Sequence, residues 1–333
     1  MDKRTFTGIV IAVVLGIFPA TAIFSFCRTA PEQMAEVEGF RMQFPVMGTI
    51  AGFSLYTTGH QRFLAGCTAG KAAFEKVAGI ANLYDRSSEL SRLNANAANQ
   101  EFPCSDIMWQ LLMRAEKAFV ESDGKFDITV KPLMELWGFY RKQQRPPSDA
   151  EINAALRKTG FKKLQFDRKK RTVKFTVPGM ALDLGGIAKG YAADLAAEAI
   201  LKQGISRGVI DLGGNLKLLP DLPPGKKCYT VGIRNPAKRN ELLAEKLELP
   251  GGMAVASSGD YERFTVLAGK RYGHIIDPAS GVPGALPAVT VVCGSALDAD
   301  IFSTSCYLGG GEAAGRLKKL YPDLQVYFFP AER

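Results

Sequence analysis

The stretch Met180-Ala181-Leu182-Asp183-Leu184-Gly185-Gly186-Ile187-Ala188-Lys189-Gly190-Tyr191-Ala192-Ala193-Asp194 reads as a short apolar strand ending in a carboxylate, a Gly-Gly turn, and a helix whose first turn carries a lysine. A helix start presents unpaired N–H groups and the positive end of the helix dipole, so it attracts anions such as phosphate. Glycines let backbone approach a ligand with no Cβ in the way. Lys189 adds a point charge suited to phosphate, and Asp183 can accept a hydrogen bond from a sugar or ring or hold a metal. A plain strand-to-helix connection with a solvated lysine explains the same residues, because Gly-rich turns are common.

Outward from that stretch, the helix runs over 188–203 with Ala192, Leu195, Ala196, Ala199 and Ile200 as its stripe, and Gly204 ends it. Upstream, strands are expected near 162–177 and 180–184. Arg168-Lys169-Lys170-Arg171 forms a basic hairpin tip between Leu164-Gln165-Phe166 and Val173-Lys174-Phe175. A short helix over 149–158 follows a Pro-rich break at 145–149. Ser105 and Asp106 cap a helix over 105–122, and Phe63, Cys67, Phe74, Val77 and Ile80 stripe a helix over 60–83. Phe44 to Leu55 reads as one strand interrupted by glycine. Beyond Val209 the pattern is strands and turns, with helices near 297–307 and 311–320. No regular βαβ alternation is visible, so the fold class is α+β, with a mixed or antiparallel sheet core and packed helices.

At 333 residues, 47% of them hydrophobic, the chain can bury a full core. The net charge of +9 suits an anionic ligand, but no Lys/Arg cluster is interleaved with aromatics, so nucleic acid is not expected as a partner. Lys3 and Arg4 precede an apolar run from Gly8 to Phe18, and Ala20 and Ala22 give a small-x-small pattern. Residues 1–27 therefore read as a signal peptide or a membrane anchor, 28–40 as a linker, and 41–333 as the folded domain. The protein is expected outside the cytoplasmic membrane, in a periplasmic setting, with attachment to the inner membrane through the leader as the alternative. Phe26 stands where a lipobox needs a small residue, which argues against lipidation of Cys27. None of the six cysteines forms a CxxC pair, so zinc is not expected.

Four more segments carry chemistry. Tyr84 to Asn94 puts an aromatic beside polar residues, which suits either stacking on a flat heterocycle or the capping of a following helix by Ser87 or Ser88. Gly124-Lys125-Phe126-Asp127-Ile128-Thr129 leads to Trp137 and Phe139, which are expected in the core. Ser257-Ser258-Gly259-Asp260-Tyr261 leads through a hairpin turn at 267–271 to His274, one of two histidines with His60. His274 ends a strand before a Pro turn, as a proton-transferring group or as one bonded to turn backbone. Asp300 and Thr304 share one helix face, and a carboxylate with a hydroxyl suits Mg²⁺; an N-cap Asp and a Thr bonded back to its helix is the competing reading.

Together, in this order, these segments resemble the FAD:protein FMN transferase (ApbE-like) family over nearly all of residues 44–310, with Met47-Gly48-Thr49 and His274-Ile275-Ile276-Asp277-Pro278 among the matching pieces. The resemblance implies a flavin-transferase, T-fold-like architecture. It also implies an exported enzyme that splits FAD at its pyrophosphate, transfers FMN to a Ser or Thr hydroxyl of an acceptor flavoprotein (a respiratory or another exported redox protein), and releases AMP. By the same resemblance, Mg²⁺ is held by Asp300, Thr304 and the Gly186 carbonyl. Met47, Tyr84, Lys125, Phe126, Asp127, Asp183, Lys189 and His274 surround FAD, and His274 is the candidate base. Gly186 replaces an alanine common in the family, and Ser257-Ser258 stands where Thr-Ser is frequent. An FAD pyrophosphatase and a non-catalytic exported FAD-binding protein are the alternatives.

Overall fold

The computed structural model describes residues 36–233, 245–260, 263–284, 286 and 288–329; the segment expected to be a leader and Tyr261 lie outside the described residues. In chain order the elements are β1 (Glu38–Val46), β2 (Thr49–Thr57), α1 (His60–Ala81), α2 (Glu89–Asn96), β3 (Phe102–Pro103), α3 (Asp106–Glu121), α4 (Lys131–Leu136), α5 (Asp149–Leu156), β4 (Leu164–Asp167), β5 (Thr172–Phe175), α6 (Ala188–Lys202), β6 (Arg207–Leu212), β7 (Asn215–Leu218), β8 (Tyr229–Ile233), β9 (Glu245–Leu249), β10 (Ala254–Gly259), β11 (Phe264–Leu267), β12 (Lys270–Gly273), β13 (Ala288–Cys293), α7 (Ala296–Leu320) and β14 (Gln325–Phe329).

A seven-stranded antiparallel sheet in the order β1-β2-β6-β7-β10-β13-β14 organises the molecule. Side chains alternate across a strand, and the sequence uses both faces. Ala254 and Ala256 of β10 and Val289 and Val291 of β13 join the main core, which also holds Phe74 of α1, Ile200 of α6 and Phe302 of α7. Val255 and Val292 point the other way, onto Val231 and Leu247 of the β8–β9 hairpin. A third cluster, with Leu133, Trp137, Ile152, Leu267 and Ile276, joins α4 and α5 to the β11–β12 hairpin. Among the described residues no helix is long and apolar enough to cross a membrane.

The fold class agrees with the sequence reading, and four local expectations are corrected. The expected single strand over 44–55 is the β1–β2 hairpin. Met47 (φ 50°) and Gly48 (φ 71°) form its two-residue turn, a geometry that matches strand twist but that methionine seldom adopts. Residues 180–184 belong to no helix and no sheet. The Asn94 side chain does a neighbouring strand's work there: its amide donates to the Leu182 carbonyl (2.9 Å) and its oxygen accepts from the Leu182 N–H (2.7 Å). The expected linker ends earlier than residue 40, since β1 begins at Glu38. The N-cap of α7 is Ser295 rather than an aspartate of its own first turn.

α6 and α7 meet almost without side chains between them at Gly190. A Cβ placed there would lie 2.2 Å from the Ala296 carbonyl oxygen and 2.8 Å from the Leu297 Cα. Both neighbours are backbone, so a methyl group must push the two helix starts apart. Gly190→Ala is therefore expected to cost about 1–3 kcal/mol in a denaturant-unfolding measurement; an unchanged midpoint would contradict this packing.

Candidate active site

The two helix starts that meet at Gly190 also carry the charged centre. Asp300, in the second turn of α7, is 4% exposed. One of its oxygens accepts the Gly190 N–H at 3.0 Å, and the other faces the Lys189 Nζ at 3.6 Å. Asp194 of α6 fixes the start of α7: its carboxylate accepts from the Ser295 hydroxyl (2.8 Å) and from the Ala296 (3.0 Å) and Leu297 (2.9 Å) N–H groups. A carboxylate on the first N–H groups of a helix is held by both hydrogen bonding and the dipole. Lys189 and Asp300 thus sit on elements locked to one another.

One turn beyond Asp300, the half-buried Thr304 has its Oγ1 3.4 Å from the Ser258 Oγ, which also pairs with the Ser303 Oγ at 2.8 Å. Gly186 closes the group. A Cβ built on it would stand 3.4 Å from the Thr304 Oγ1 and 3.3 Å from the ring of Phe126. Among the described residues no group of three or more His, Cys, Asp or Glu could hold a metal ion. A cation here would instead meet one carboxylate, hydroxyls and backbone oxygen, an all-oxygen set that suits Mg²⁺ with its remaining positions filled by water and phosphate. Asp300 and Thr304 lie one turn apart on α7 and Gly186 lies beside Thr304; a carboxylate, a hydroxyl and a backbone carbonyl are donor types that suit Mg²⁺.

His274 forms a second centre. Its Nδ1 lies 3.1 Å from the Arg263 backbone carbonyl. A carbonyl can only accept, so Nδ1 carries the hydrogen and the Nε2 lone pair is the one left for a proton. Burial, reinforced by the Arg263 guanidinium and by Lys189, pushes the imidazole down to about 4, against the smaller opposing effects of the Arg263 carbonyl and Asp183. His274 is therefore neutral, and ready as a base, well below pH 7. The unfolded chain takes up this proton between pH 6.5 and about 4 while the folded one does not, so the group's contribution makes stability rise with pH through that window. With only two histidines in the chain, an NMR titration separates them: one imidazole should titrate near 4. A His274 signal titrating near 6.5 would contradict the half-buried, cation-flanked setting.

The other sequence-chosen residues divide. Phe126 is buried against Gly186. Lys125 pairs with Asp277 at 3.1 Å and ties its segment to the turn after His274. Tyr84 is 74% exposed, with its hydroxyl 3.3 Å from the Arg263 guanidinium, so it is available for stacking. Ser88 caps α2, as the capping reading of that segment anticipates. Asp183 is nearly buried; one oxygen accepts the Gly185 N–H at 2.5 Å and the other accepts the Tyr140 hydroxyl. Met47 lies partly buried against the main core at its hairpin turn.

Asp127 is buried. Its carboxylate takes the Thr129 N–H (2.8 Å) and hydroxyl (2.6 Å) with one oxygen and the Phe161 N–H (2.9 Å) with the other. It caps the turn at 128–130. Trp137 is in the core, with its Nε1 donating to the Gly281 carbonyl at 2.8 Å, but Phe139 is half-buried with its ring edge-on to His274 at 6.4 Å. Sequence reasoning assigned nothing to Tyr140, Asp194 or Arg263, whose partners lie 43 to 179 residues away. It also noted the hydroxyl of Ser258 without a role.

The sequence profile of the ApbE family matches residues 47–328. The chain belongs to the ApbE family. An FAD:protein FMN transferase of Klebsiella pneumoniae is 32% identical over 248 residues, covering 74% of this chain and 76% of that one. One from Vibrio cholerae is 33% identical, covering 72% and 71%. Among solved structures, flavin transferase ApbE from Vibrio cholerae superposes with a TM-score of 0.77 at 28% identity, covering 88% of this chain and 93% of that one. The ApbE protein of Thermotoga maritima gives 0.79 at 29% identity, covering 87% and 94%. As a member of the ApbE family the protein is an enzyme, a transferase, and the antiparallel α+β architecture described above is the one it shares with those structures.

Proposed function

We propose that the protein transfers FMN from FAD to a Ser or Thr hydroxyl of an acceptor flavoprotein, with Mg²⁺, and releases AMP. The relatives named FAD:protein FMN transferase support flavin transfer from FAD to a protein. The observation that carries this reading is Lys189 facing Asp300 where two helices begin, with Thr304 one turn further along α7 and Gly186 beside Thr304.

In this reading Lys189 holds the pyrophosphate by its charge, at the positive end of the α6 dipole. Asp300, Thr304 and the Gly186 carbonyl would hold Mg²⁺, which when bound offsets charge on the phosphoryl oxygens. Phe126 supports the Gly186 turn from behind, and Tyr84 offers a face to a flat ring. The acceptor hydroxyl gives its proton to the His274 Nε2 as its oxygen bonds to the phosphorus on the FMN side. The bond from that phosphorus to the bridging oxygen breaks, and AMP leaves with that oxygen. A helix-mounted metal-suited pair and a base fixed in one tautomer hold the reacting groups in place before reaction, where orientation counts most.

We also propose that the enzyme works outside the cytoplasmic membrane on an exported redox protein. Lys3, Arg4, the apolar run from Gly8 to Phe18 and the Ala20/Ala22 pair support this. The test incubates the protein with FAD, Mg²⁺ and candidate exported flavoprotein domains. Covalent flavin fluorescence on the acceptor's gel band is the expected result. Free FMN and AMP with no labelled protein would make water the acceptor, and intact FAD after long incubation would leave binding alone.

A further inference from the structure

Tyr140 is a ring with a built position in a segment that has no regular secondary structure. Between α4 and α5, residues 138–148 form no helix or strand, and 141–145 are exposed. Tyr140 instead points inward. Its ring centroid lies 5.2 Å from the Lys131 Nζ, 5.7 Å from the Arg263 guanidinium carbon and 6.1 Å from the ring of Tyr84. Two cations beside one aromatic ring favour its staying there. Its hydroxyl donates to Asp183, whose other oxygen already serves Gly185. Asp183 is 9% exposed in this arrangement. A ligand donor can reach that carboxylate only where Tyr140 gives way.

We propose that the Tyr140 hydroxyl stands in for a donor group of FAD: it satisfies Asp183 in the free enzyme and is exchanged for a ring N–H or an O–H of the incoming FAD. The inference rests on the reading that this site binds FAD. An unpaired buried carboxylate oxygen is costly, whereas exchanging one donor for another is nearly neutral. Tyr140 therefore stabilises the free protein and weakens FAD binding by the same interaction, and its position at Asp183 sets how tightly FAD is held.

The test is a titration of FAD, without divalent cation to prevent turnover, into the wild-type protein and into Tyr140→Phe, which keeps the ring and removes only the donor. The phenylalanine variant leaves Asp183 short of a partner until FAD supplies one. It should bind FAD about tenfold more tightly. Without FAD it should melt lower than wild type, and saturating FAD should raise its melting temperature further than it raises that of wild type. In an Asp183→Ala background, which removes the acceptor, the affinity gain from Tyr140→Phe should disappear, as a double-mutant cycle requires for a coupled pair. A Tyr140→Phe protein that binds FAD equally well or more weakly, while wild type binds it, would overturn the exchange and leave the FAD reading standing. Wild-type protein that binds no FAD would overturn both.

Discussion

Asp300→Ala is expected to lower FAD turnover by about 10²–10³-fold, the scale of losing one charge-stabilising group from a preorganised site. Asp300 is nearly buried, faces Lys189 across 3.6 Å and accepts the Gly190 N–H. Removing it takes away the single carboxylate of the oxygen donor set, and the lysine loses its counter-charge. Raising the Mg²⁺ concentration should recover part of the lost rate if the carboxylate works through the metal. Asp300→Asn provides the control, because it keeps an oxygen for Gly190 and nearly the same volume. It should unfold close to wild type and still be slow. Normal turnover in either variant would remove Asp300 from the reaction.

His274→Ala should lower the rate of transfer by about 10²–10³-fold, within the range of a lost general base, while FAD affinity stays close to wild type. The separation follows from geometry. Nδ1 is spent on the Arg263 carbonyl, so the imidazole's free nitrogen is a proton acceptor and not an anchor for an anion. A neutral imidazole held down near 4 adds no positive charge to bind phosphate. The measurement is kcat and KM for the acceptor alongside a direct FAD titration. Added imidazole should restore part of the rate, since the variant leaves space at the ring's position. Equal losses in rate and in FAD affinity would make His274 a binding residue.

Helices were legible where their signals lie within a few residues of one another. Ser105 caps α3 and Ser88 caps α2, and the stripe Ala192, Ala196, Ile200 is the buried face of α6. That Asp300 and Thr304 share a helix face was legible for the same reason, because positions 300 and 304 are four apart on one helix. Errors arose where a side chain from far away replaces a local rule. Residues 180–184 have a strand's apolar run, but Asn94 takes the place of a neighbouring strand. The 44–55 run hides a turn because Met47, and not a glycine, takes one of its two positive φ angles. Asp127 also accepts from Thr129, two residues on, and from the N–H of Phe161, 34 residues on, a second partner that no local pattern announces. No sequence pattern near Asp194 announces that it caps a helix a hundred residues later. Tyr140 reaches Asp183 only because the chain returns past α5 and the β4–β5 hairpin.

The most direct measurement is a crystal structure of the protein with FAD and Mn²⁺ in place of Mg²⁺, read by anomalous scattering. The account predicts one strong peak within coordination distance of the Asp300 carboxylate, the Thr304 hydroxyl and the Gly186 carbonyl, with a pyrophosphate oxygen of FAD completing its shell beside Lys189. A cation bound elsewhere, or FAD lying with its pyrophosphate away from Lys189 and Asp300, would contradict it.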